Sequence, residues 1–296
     1  EDFPCIYVTE ADKVFVTTSA DSSLSVTGSF KKDGDTNTDG VIFSRSDLVL
    51  NGTAVLTVSS TDNGIVSKDD LKVTGGTYQI TASSKAFEAN DSIQISDGNF
   101  TLKAGTDGLH AENDEDDSLG YIYISGGTFD ISAGDDGIHA VSLLQIDDGT
   151  FNITAAEGME ATYIQINGGT IDIQASDDGI NAAQKSYNYD VAIEVNGGDI
   201  SITMGSGDVD GFDSNGSIYV NGGTINVSVT ETGMAEAFDF DGTAELNGGT
   251  VYVNGEQITE ITTTMMGGGM MGGFGGQDGN QNGGFGGRGG FGGRSM

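Results

Sequence analysis

Residues 163–182 read YIQINGGTIDIQASDDGINA, and this stretch decides the fold. Apolar and polar residues alternate on both sides of the Gly-Gly-Thr, and a period of two is typical of β-strands with one buried face. Because glycine adopts a positive φ without steric cost, Gly-Gly-Thr predicts a turn between two strands. The closing DGINA predicts a third, short strand.

The same pattern recurs along the chain in steps of 20 to 29 residues, with a mean near 25. Its glycines are Gly52, Gly76, Gly98, Gly127, Gly149, Gly169, Gly198, Gly223 and Gly249. Three short strands in a repeat of this length predict an all-β solenoid, a single-stranded parallel β-helix of about nine to ten coils. A leucine-rich repeat is disfavoured because its Leu-x-x-Leu-x-Leu pattern is absent. The apolar positions predict a thin core with stacked Phe100, Phe129 and Phe151.

The repeat divides the chain into three predicted regions. Residues 1–38 are expected to form an N-terminal cap or an irregular first coil, and residues 39–264 form the β-helix. Residues 265–296 are half glycine, with scattered Met and Phe, and are expected to be a flexible tail because they have too few apolar residues for a core.

Charge and composition exclude several classes of function. The chain has 45 acidic and 11 basic residues, a formal net charge of −34, which disfavours direct contact with nucleic acid or an anionic membrane. No run of 18 apolar residues is present, so no transmembrane segment is predicted. Cys5 is the single cysteine, which excludes a disulfide framework. The absence of an initial Met predicts a processed fragment.

Alignment of the coils on their third turn predicts two stacked columns of residues on one face. The first column is Asp39, Asn63, Lys85, Asp107, Asp136, Glu157, Asp178, Asp210 and Glu236. The second column, three residues later in each coil, is Ile42, Val66, Glu88, His110, His139, Glu160, Asn181, Asp213 and Asp239. Coils stack about 4.8 Å apart, so neighbouring carboxylates repel by about 1 kcal/mol even in bulk water.

Two interpretations of these columns compete. The acids are either a solvated face with good turn chemistry or a ridge that binds hard cations. Calcium takes oxygens from carboxylates, amides and backbone carbonyls, and adjacent coils supply them together, so we favour calcium. Zinc is disfavoured because only His110 and His139 offer nitrogen. The candidate calcium ligands, including flanking acids, are Asp107, Asp135, Asp136, Glu157, Glu160, Asp177, Asp178, Asn181, Asp208, Asp210, Asp213, Glu236 and Asp239.

A second calcium signal lies near the N-terminus. Residues 35–40, DTNTDG, match the first half of the loop pattern D-x-[DN]-x-[DN]-G. The twelfth position is Ser46 rather than Glu and no helix is predicted on either side, so the segment is not an EF-hand. The spacing predicts that Asp35, Asn37 and Asp39 converge on one cation, and an Asp/Asn-rich turn is the alternative.

Two coils carry insertions after their third strand. Residues 112–117, ENDEDD, are either a cation-binding segment or a solvated loop. The other insertion, residues 184–190, contains Tyr187, Tyr189 and Lys185, which predict a sugar-binding loop because rings stack on sugars and polar groups bind hydroxyls. Stray loop tyrosines are the alternative. Both insertions are expected to overhang the edge that carries the columns and to form a shallow groove.

The repeated I-x-I-x-G-G-T-x-x-I-x-A-x-x-D-G-I, with the Gly/Met/Phe-rich tail, resembles the clostridial family of carbohydrate-binding β-helix proteins. The resemblance covers about residues 6–296. It implies a right-handed parallel β-helix similar in fold to pectate-type polysaccharide lyases. It also implies bound calcium, secretion or cell-surface attachment, and plant cell-wall ligands such as polygalacturonate and cellulose.

A calcium-dependent lyase is the main alternative to a binding protein. Such an enzyme needs a base with a lowered pKa, and Lys85 is the only base in the first column. Its acid-rich surroundings would raise a lysine pKa, which is unfavourable for a base. We therefore predict a non-catalytic, extracellular, calcium-binding protein for cell-wall polysaccharide, with a lyase and a structural spacer or adhesin as alternatives.

Overall fold

The computed structural model describes residues 2–207, 209–230 and 235–262. The predictions for Asp208 and for the tail, residues 265–296, lie outside the described residues. The described part of the chain is all β, with no helix, and therefore with no helix long and apolar enough to cross a bilayer. The predicted all-β class is confirmed.

The strands are short, as the spacing of the turns predicts. In chain order they are β1 (Ile6–Val8), β2 (Lys13–Thr18), β3 (Ser22–Ser25), β4 (Gly40–Ser44), β5 (Asp47–Gly52), β6 (Val55–Ser60), β7 (Asn63–Ser67), β8 (Asp70–Val73), β9 (Thr77–Ala82), β10 (Phe87–Ala89), β11 (Ser92–Ile95), β12 (Asn99–Ala104), β13 (Leu109–Ala111), β14 (Tyr121–Ile124), β15 (Thr128–Ser132), β16 (Asp136–Ala140), β17 (Leu143–Ile146), β18 (Thr150–Ala155), β19 (Glu157–Ala161), β20 (Tyr163–Ile166), β21 (Thr170–Ala175), β22 (Ile180–Ala182), β23 (Ala192–Val195), β24 (Asp199–Met204), β25 (Asp210–Ser214), β26 (Ser217–Val220), β27 (Thr224–Ser228), β28 (Glu236–Phe240), β29 (Ala244–Leu246), β30 (Thr250–Val253) and β31 (Glu256–Ile258).

These strands form three sheets, and each coil of chain adds one parallel strand to each sheet. Sheet 1 contains every third strand from β1 to β28, sheet 2 every third strand from β2 to β29, and sheet 3 every third strand from β3 to β30. The last strand, β31, pairs antiparallel with β30 and ends sheet 3. The predicted parallel β-helix is confirmed. Residues 6–25, within the predicted cap region, supply the first strand of each sheet.

The core consists of apolar ladders that run along the solenoid. In sheet 3 the rings of Tyr78, Phe100, Phe129 and Phe151 stack, with centroids 5.3, 4.6 and 4.6 Å apart. The predicted phenylalanine stack is thus present, because the parallel register places Phe100, Phe129 and Phe151 at equivalent positions of successive coils. Such ladders bury apolar area without any ligand.

The Gly-Gly-Thr turns bring the backbones of successive coils into close contact. At Gly169 φ is +96°, and a Cβ there would lie 2.8 Å from the carbonyl oxygen of Gly149 in the preceding coil. A positive φ and this close approach both require glycine. The turn therefore joins sheet 2 to sheet 3 in a space that excludes a side chain.

The register of sheet 1 confirms the second column from Val66 onward. The paired positions are Val66, Glu88, His110, His139, Glu160, Asn181, Asp213 and Asp239. The prediction for the first aligned coil is wrong by one residue, because Phe43 rather than Ile42 pairs with Val66, and Gly40 rather than Asp39 pairs with Asn63. In the observed register of β4 and β7, Ser44 pairs with Ser67, whereas the predicted alignment would place Phe43 opposite Ser67.

Candidate functional site

The candidate site is the outer face of sheet 1, where the two columns lie side by side. First-column aspartates have a structural task, since the Oδ1 atoms of Asp107, Asp178 and Asp210 each accept a hydrogen bond from a backbone N–H of the next coil. The donors are Asp136, Asp210 and Glu236, at 3.3, 2.8 and 2.7 Å. One oxygen of each carboxylate is thereby used to hold successive coils together.

In the middle coils, histidines and a lysine neutralise the acids. His110 Nδ1 lies 2.8 Å from Asp107 Oδ2, at an angle outside the hydrogen-bonding range, and its Nε2 lies 3.1 Å from Glu112 Oε2. Burial alone would raise the pKa of Asp107, but His110 outweighs it and the pKa is lowered. The same histidine lowers the pKa of Glu112 to about 2.

The next coil repeats this arrangement around His139. Its Nδ1 lies 2.5 Å from Asp136 Oδ2 and 3.0 Å from Glu160 Oε2, and Lys185 Nζ lies 2.9 Å from Glu160 Oε1. Burial lowers the pKa of His139, but the two carboxylates outweigh it and raise the pKa to about 9. The carboxyl of Asp136 keeps a raised pKa despite this contact, because its burial outweighs the charge of the histidine.

Three acids of the later coils have no such compensation among the described residues. No lysine, arginine or histidine lies within ion-pair distance of Glu157, Asp210 or Asp213 in the described residues. Burial is the main cause that raises the pKa of Glu157 to about 8, of Asp210 to about 7 and of Asp213 to about 6, and neighbouring carboxylates add to it. This end of the columns is where an external cation would stabilise the fold most.

A cavity of about 420 Å³ opens at the other end of the columns. Its wall includes Lys68, Lys85, Glu88, His110 and Glu112. Lys68 Nζ lies 2.7 Å from Glu88 Oε1, whereas no acidic partner lies within ion-pair distance of the Lys85 ammonium in the described chain. Lys85, the alternative catalytic residue predicted from the sequence, therefore lies in a cavity with a second lysine, on a face that is otherwise acidic.

The two insertion loops meet beside the columns, as the sequence predicts. The hydroxyl of Ser186 donates a hydrogen bond to the carbonyl oxygen of Asp117, at 2.6 Å. Tyr187 is 85% exposed, and the ring of Tyr189 stacks on Tyr163, with centroids 6.0 Å apart. Lys185, predicted as a sugar ligand, forms an ion pair with Glu160, and Tyr187 is the most exposed of the three predicted sugar-binding residues.

The N-terminal loop brings only part of its predicted set together. Asn37 Nδ2 donates to Asp39 Oδ2 at 2.7 Å, and Asp35 is exposed. Asp39 is buried and its Oδ1 has no hydrogen-bond partner. Burial raises the pKa of Asp39, and Glu88 adds to this. The contact between Asn37 and Asp39 uses an amide nitrogen, which is a donor and not a calcium ligand.

The acids that flank the first column lie farther out. Asp135 and Asp177 are exposed, so they surround the ridge and are not part of its buried contacts. Glu236 is half-buried and Asp239 exposed at the last coil of sheet 1. Of the predicted metal ligands, only Asp136 and Glu160 belong to a group of three close ligand atoms in the described residues, and its third member is His139.

One further cluster of acids was missed by sequence reasoning. Asp47, Asp69 and Asp70 place carboxylate oxygens within 4.8 Å of one another where sheet 1 turns into sheet 2. Burial is the main cause that raises the pKa of Asp69 to about 6, and Asp91 contributes. The signal in the sequence was an acid directly before the sheet 2 strand in successive coils, but the alignment centred on the third turn did not include it.

The comparisons place this site in a known family. The family described as carbohydrate-binding domain-containing protein matches residues 1–209 and 157–257, so the chain belongs to this carbohydrate-binding domain family. Among solved structures, it is similar to a polysaccharide lyase-like protein from C. thermocellum, solved as a gadolinium derivative. The identity is 18% and the TM-score 0.49, over 80% of this chain and 98% of that one. No curated protein matches the sequence.

Proposed function

We propose that this protein binds acidic polysaccharide of the plant cell wall through calcium held at the later coils of sheet 1, and that it is not an enzyme. The observation that carries the proposal is a set of half-buried carboxylates, Glu157, Asp210 and Asp213. Their pKa values are raised, and no basic side chain lies within ion-pair distance of them in the described residues. A divalent cation there relieves the repulsion and presents positive charge to a uronate.

The donor chemistry at these coils fits calcium. Asp178, Asp210, Asp213 and Asp239 offer only oxygen, and they come from consecutive coils that are one strand spacing apart. Calcium prefers such oxygens and tolerates irregular geometry. Because Asp178, Asp210 and Asp213 are half-buried and Asp239 is exposed, an ion held there would keep coordination positions that a sugar carboxylate completes.

The proposed contacts of the polymer extend along the same face. The cavity beside Lys68 provides the ammonium group of Lys85 for a second carboxylate, and Tyr187 provides an exposed ring for a sugar face. Neutral cellulose is the second proposed ligand, held by hydroxyl contacts and by ring stacking and therefore independent of calcium. Outer-face amides and acids of sheet 2, such as Gln165 and Glu194, add hydrogen-bonding groups near Tyr163.

A binding role is favoured over a lyase because the basic groups on this face are few and committed. Lys68 and Lys185 form ion pairs with Glu88 and Glu160, so both ammonium groups already have a partner. Lys85 is then the remaining candidate base in the described columns. We also propose an extracellular location, because open sites of this kind suit the weak calcium affinity of extracellular modules, with Kd about 10⁻⁴–10⁻³ M.

The experiment is a pull-down on polygalacturonate and on cellulose, with calcium and with EGTA. The test variant is the double substitution Asp210→Asn/Asp213→Asn, which keeps the Oδ1 acceptor used by the backbone of Glu236. The control variant Asp130→Asn/Asp172→Asn makes the same charge change at exposed positions of sheet 3. We expect polygalacturonate binding to be lost in EGTA and in the test variant, and to be kept in the control.

Three results would contradict the proposal. Full retention of polygalacturonate binding in EGTA or in the test variant would exclude bridging by calcium at these coils. Formation of unsaturated uronate products during the incubation would identify a lyase, and loss of that activity in Lys85→Gln would assign the base. Absence of binding to every polymer would favour the spacer or adhesin.

A further inference from the structure

A mixed nitrogen and oxygen cluster lies in the middle of the columns, directly before the proposed calcium site, which begins at Glu157 of the same strand as Glu160. His139 Nδ1, an oxygen of Asp136 and an oxygen of Glu160 all lie within 4.8 Å of one another. Asp136 begins β16, and the sheet 1 register pairs His139 of β16 directly with Glu160 of β19. The fold itself therefore holds the three groups together on two adjacent coils.

The cluster is buried and rigidly supported. Asp136 is 5% exposed and Glu160 is 8% exposed. The ring of His110 stacks on His139 with centroids 4.7 Å apart, and Lys185 holds Glu160 through Oε1, so that Oε2 is directed to the histidine. Positioning of a ligating carboxylate by a hydrogen bond to its second oxygen is a common feature of metal centres.

Asn181 supplies a second, independent observation. It follows Glu160 in the second column, and its Nδ2 donates to Glu157 Oε2 at 3.0 Å, so the amide leans back toward the coil of Glu157 and Glu160. Asn181 is only 9% exposed, yet its Oδ1 is buried without a hydrogen-bond partner. An orphaned buried oxygen destabilises the fold unless a ligand satisfies it.

We propose that Asp136, His139 and Glu160 form a binding site for a divalent first-row transition metal of the zinc class, with Asn181 Oδ1 as the candidate fourth ligand. Imidazole nitrogen with carboxylate oxygen is a donor set for zinc and its neighbours, whereas calcium prefers oxygen alone. The spacings of 2.5 and 3.0 Å around His139 Nδ1 are shorter than the roughly 3.3 Å edge of a tetrahedron with metal–ligand bonds of about 2.0–2.1 Å. Metal binding would therefore replace the proton on His139 Nδ1, release it to solvent, and move the two carboxylates apart by several tenths of an ångström.

The sequence disfavours zinc because only His110 and His139 offer nitrogen. The proposed site needs only one histidine, since two buried carboxylates complete the donor set. The metal would connect adjacent coils in the middle of the solenoid, and would therefore stabilise the fold at this position. The inference does not rest on the proposed polysaccharide binding.

The test measures Zn²⁺ binding to the metal-free full chain by calorimetry, with Ca²⁺ in excess. We expect one Zn²⁺ per chain for the unmodified protein. His139→Gln should weaken Zn²⁺ binding by at least about tenfold, because the loss of a residue that only hydrogen-bonds to a metal ligand already lowers metal affinity by about that factor. Asp130→Asn/Asp172→Asn, at exposed positions of sheet 3, is the matched control and should bind Zn²⁺ like the unmodified chain.

Co²⁺ provides a readout that does not depend on any variant folding. Its visible absorption in the unmodified chain should report tetrahedral coordination with a nitrogen ligand, and added Zn²⁺ should remove that spectrum. Glu160→Gln is the second variant, and its circular dichroism establishes that the fold is kept. Failure of Zn²⁺ to bind in excess Ca²⁺, unaltered binding in His139→Gln, or a Co²⁺ spectrum of octahedral aquo type would each overturn the proposal.

Discussion

Individual acids of the two columns differ because their neighbours differ, although the backbone places them equivalently. Glu160 has a pKa below its usual value, since His139 and Lys185 outweigh its burial. Glu157 begins the same strand, contacts no base and has its pKa raised to about 8. The direction of the pKa shift of each of these two acids therefore depends on whether a histidine or lysine contacts it.

The raised pKa of Glu157 predicts how stability changes with pH. The folded chain keeps this proton at pH values where the unfolded chain has lost it, so the folded state binds more protons between about pH 4.5 and 8. Stability of the metal-free protein therefore falls as pH rises through this window. Thermal melts in EGTA should show a decreasing melting temperature, and Glu157→Gln should have a shallower slope. An equal slope for Glu157→Gln and the exposed control Glu115→Gln would contradict the assignment.

Sequence reasoning predicted the positions of these residues but not their contacts. Period two and the repeat length fix which residues stack, so the second column from Val66 to Asp239 follows from the alignment alone. The contact of Lys185 with Glu160 depends on how the insertion loop folds back, which no local pattern encodes. The group of Asp47, Asp69 and Asp70 likewise arises from two adjacent turns whose proximity needs the full register.

At the level of elements, the register between β4 and β7 places two buried serines opposite each other, and both of them form hydrogen bonds. Ser44 and Ser67 are fully buried, and both hydroxyls donate to the carbonyl oxygen of Ser46, at 2.6 and 3.3 Å. Aligning these serines shifts Asp39 out of the first column by one residue. The repeat predicts the fold because turns and apolar residues recur at equivalent positions in every coil. The first aligned coil has one additional residue between Asp39 and Ser44, so the repeat alone does not determine its register.

The turn between sheets 2 and 3 predicts a graded effect of alanine substitutions. Gly169→Ala combines a positive φ with a Cβ 2.8 Å from Gly149 O, whereas Gly75→Ala has φ +145° and no atom within 4 Å of the added carbon. A residue with a side chain at positive φ costs about 1–2 kcal/mol. We expect Gly169→Ala to lose clearly more stability than Gly75→Ala in urea unfolding. Equal losses of unfolding free energy in the two variants would show that the close approach of the coils at Gly169 does not add to the cost of the substitution.

The aromatic stack in sheet 3 predicts a large local contribution to stability. Phe129 is 1% exposed and its ring lies 4.6 Å from both Phe100 and Phe151. Phe129→Ala should lower the free energy of unfolding by about 3–5 kcal/mol, because it removes a buried ring and leaves a cavity between two others. Phe15→Ala, at a ring 63% exposed, is the control and should change stability by less than about 0.5 kcal/mol. Comparable losses would contradict a continuous packed stack.

The whole molecule carries a net charge of −34, and much of it lies along a solenoid whose coils contact only their neighbours. Repulsion between adjacent coils therefore weakens the fold without calcium, and any cation in solution relieves part of it by screening. A specific site adds a second effect by mass action, about 2.7 kcal/mol at a hundredfold excess of ion over Kd. Calcium should raise the melting temperature well beyond sodium at equal ionic strength. In Asp210→Asn/Asp213→Asn the additional rise in melting temperature that is specific to calcium should be smaller, whereas the rise caused by sodium should remain. If the two ions act equally on the unmodified chain, the columns are a solvated face and the calcium proposal is wrong.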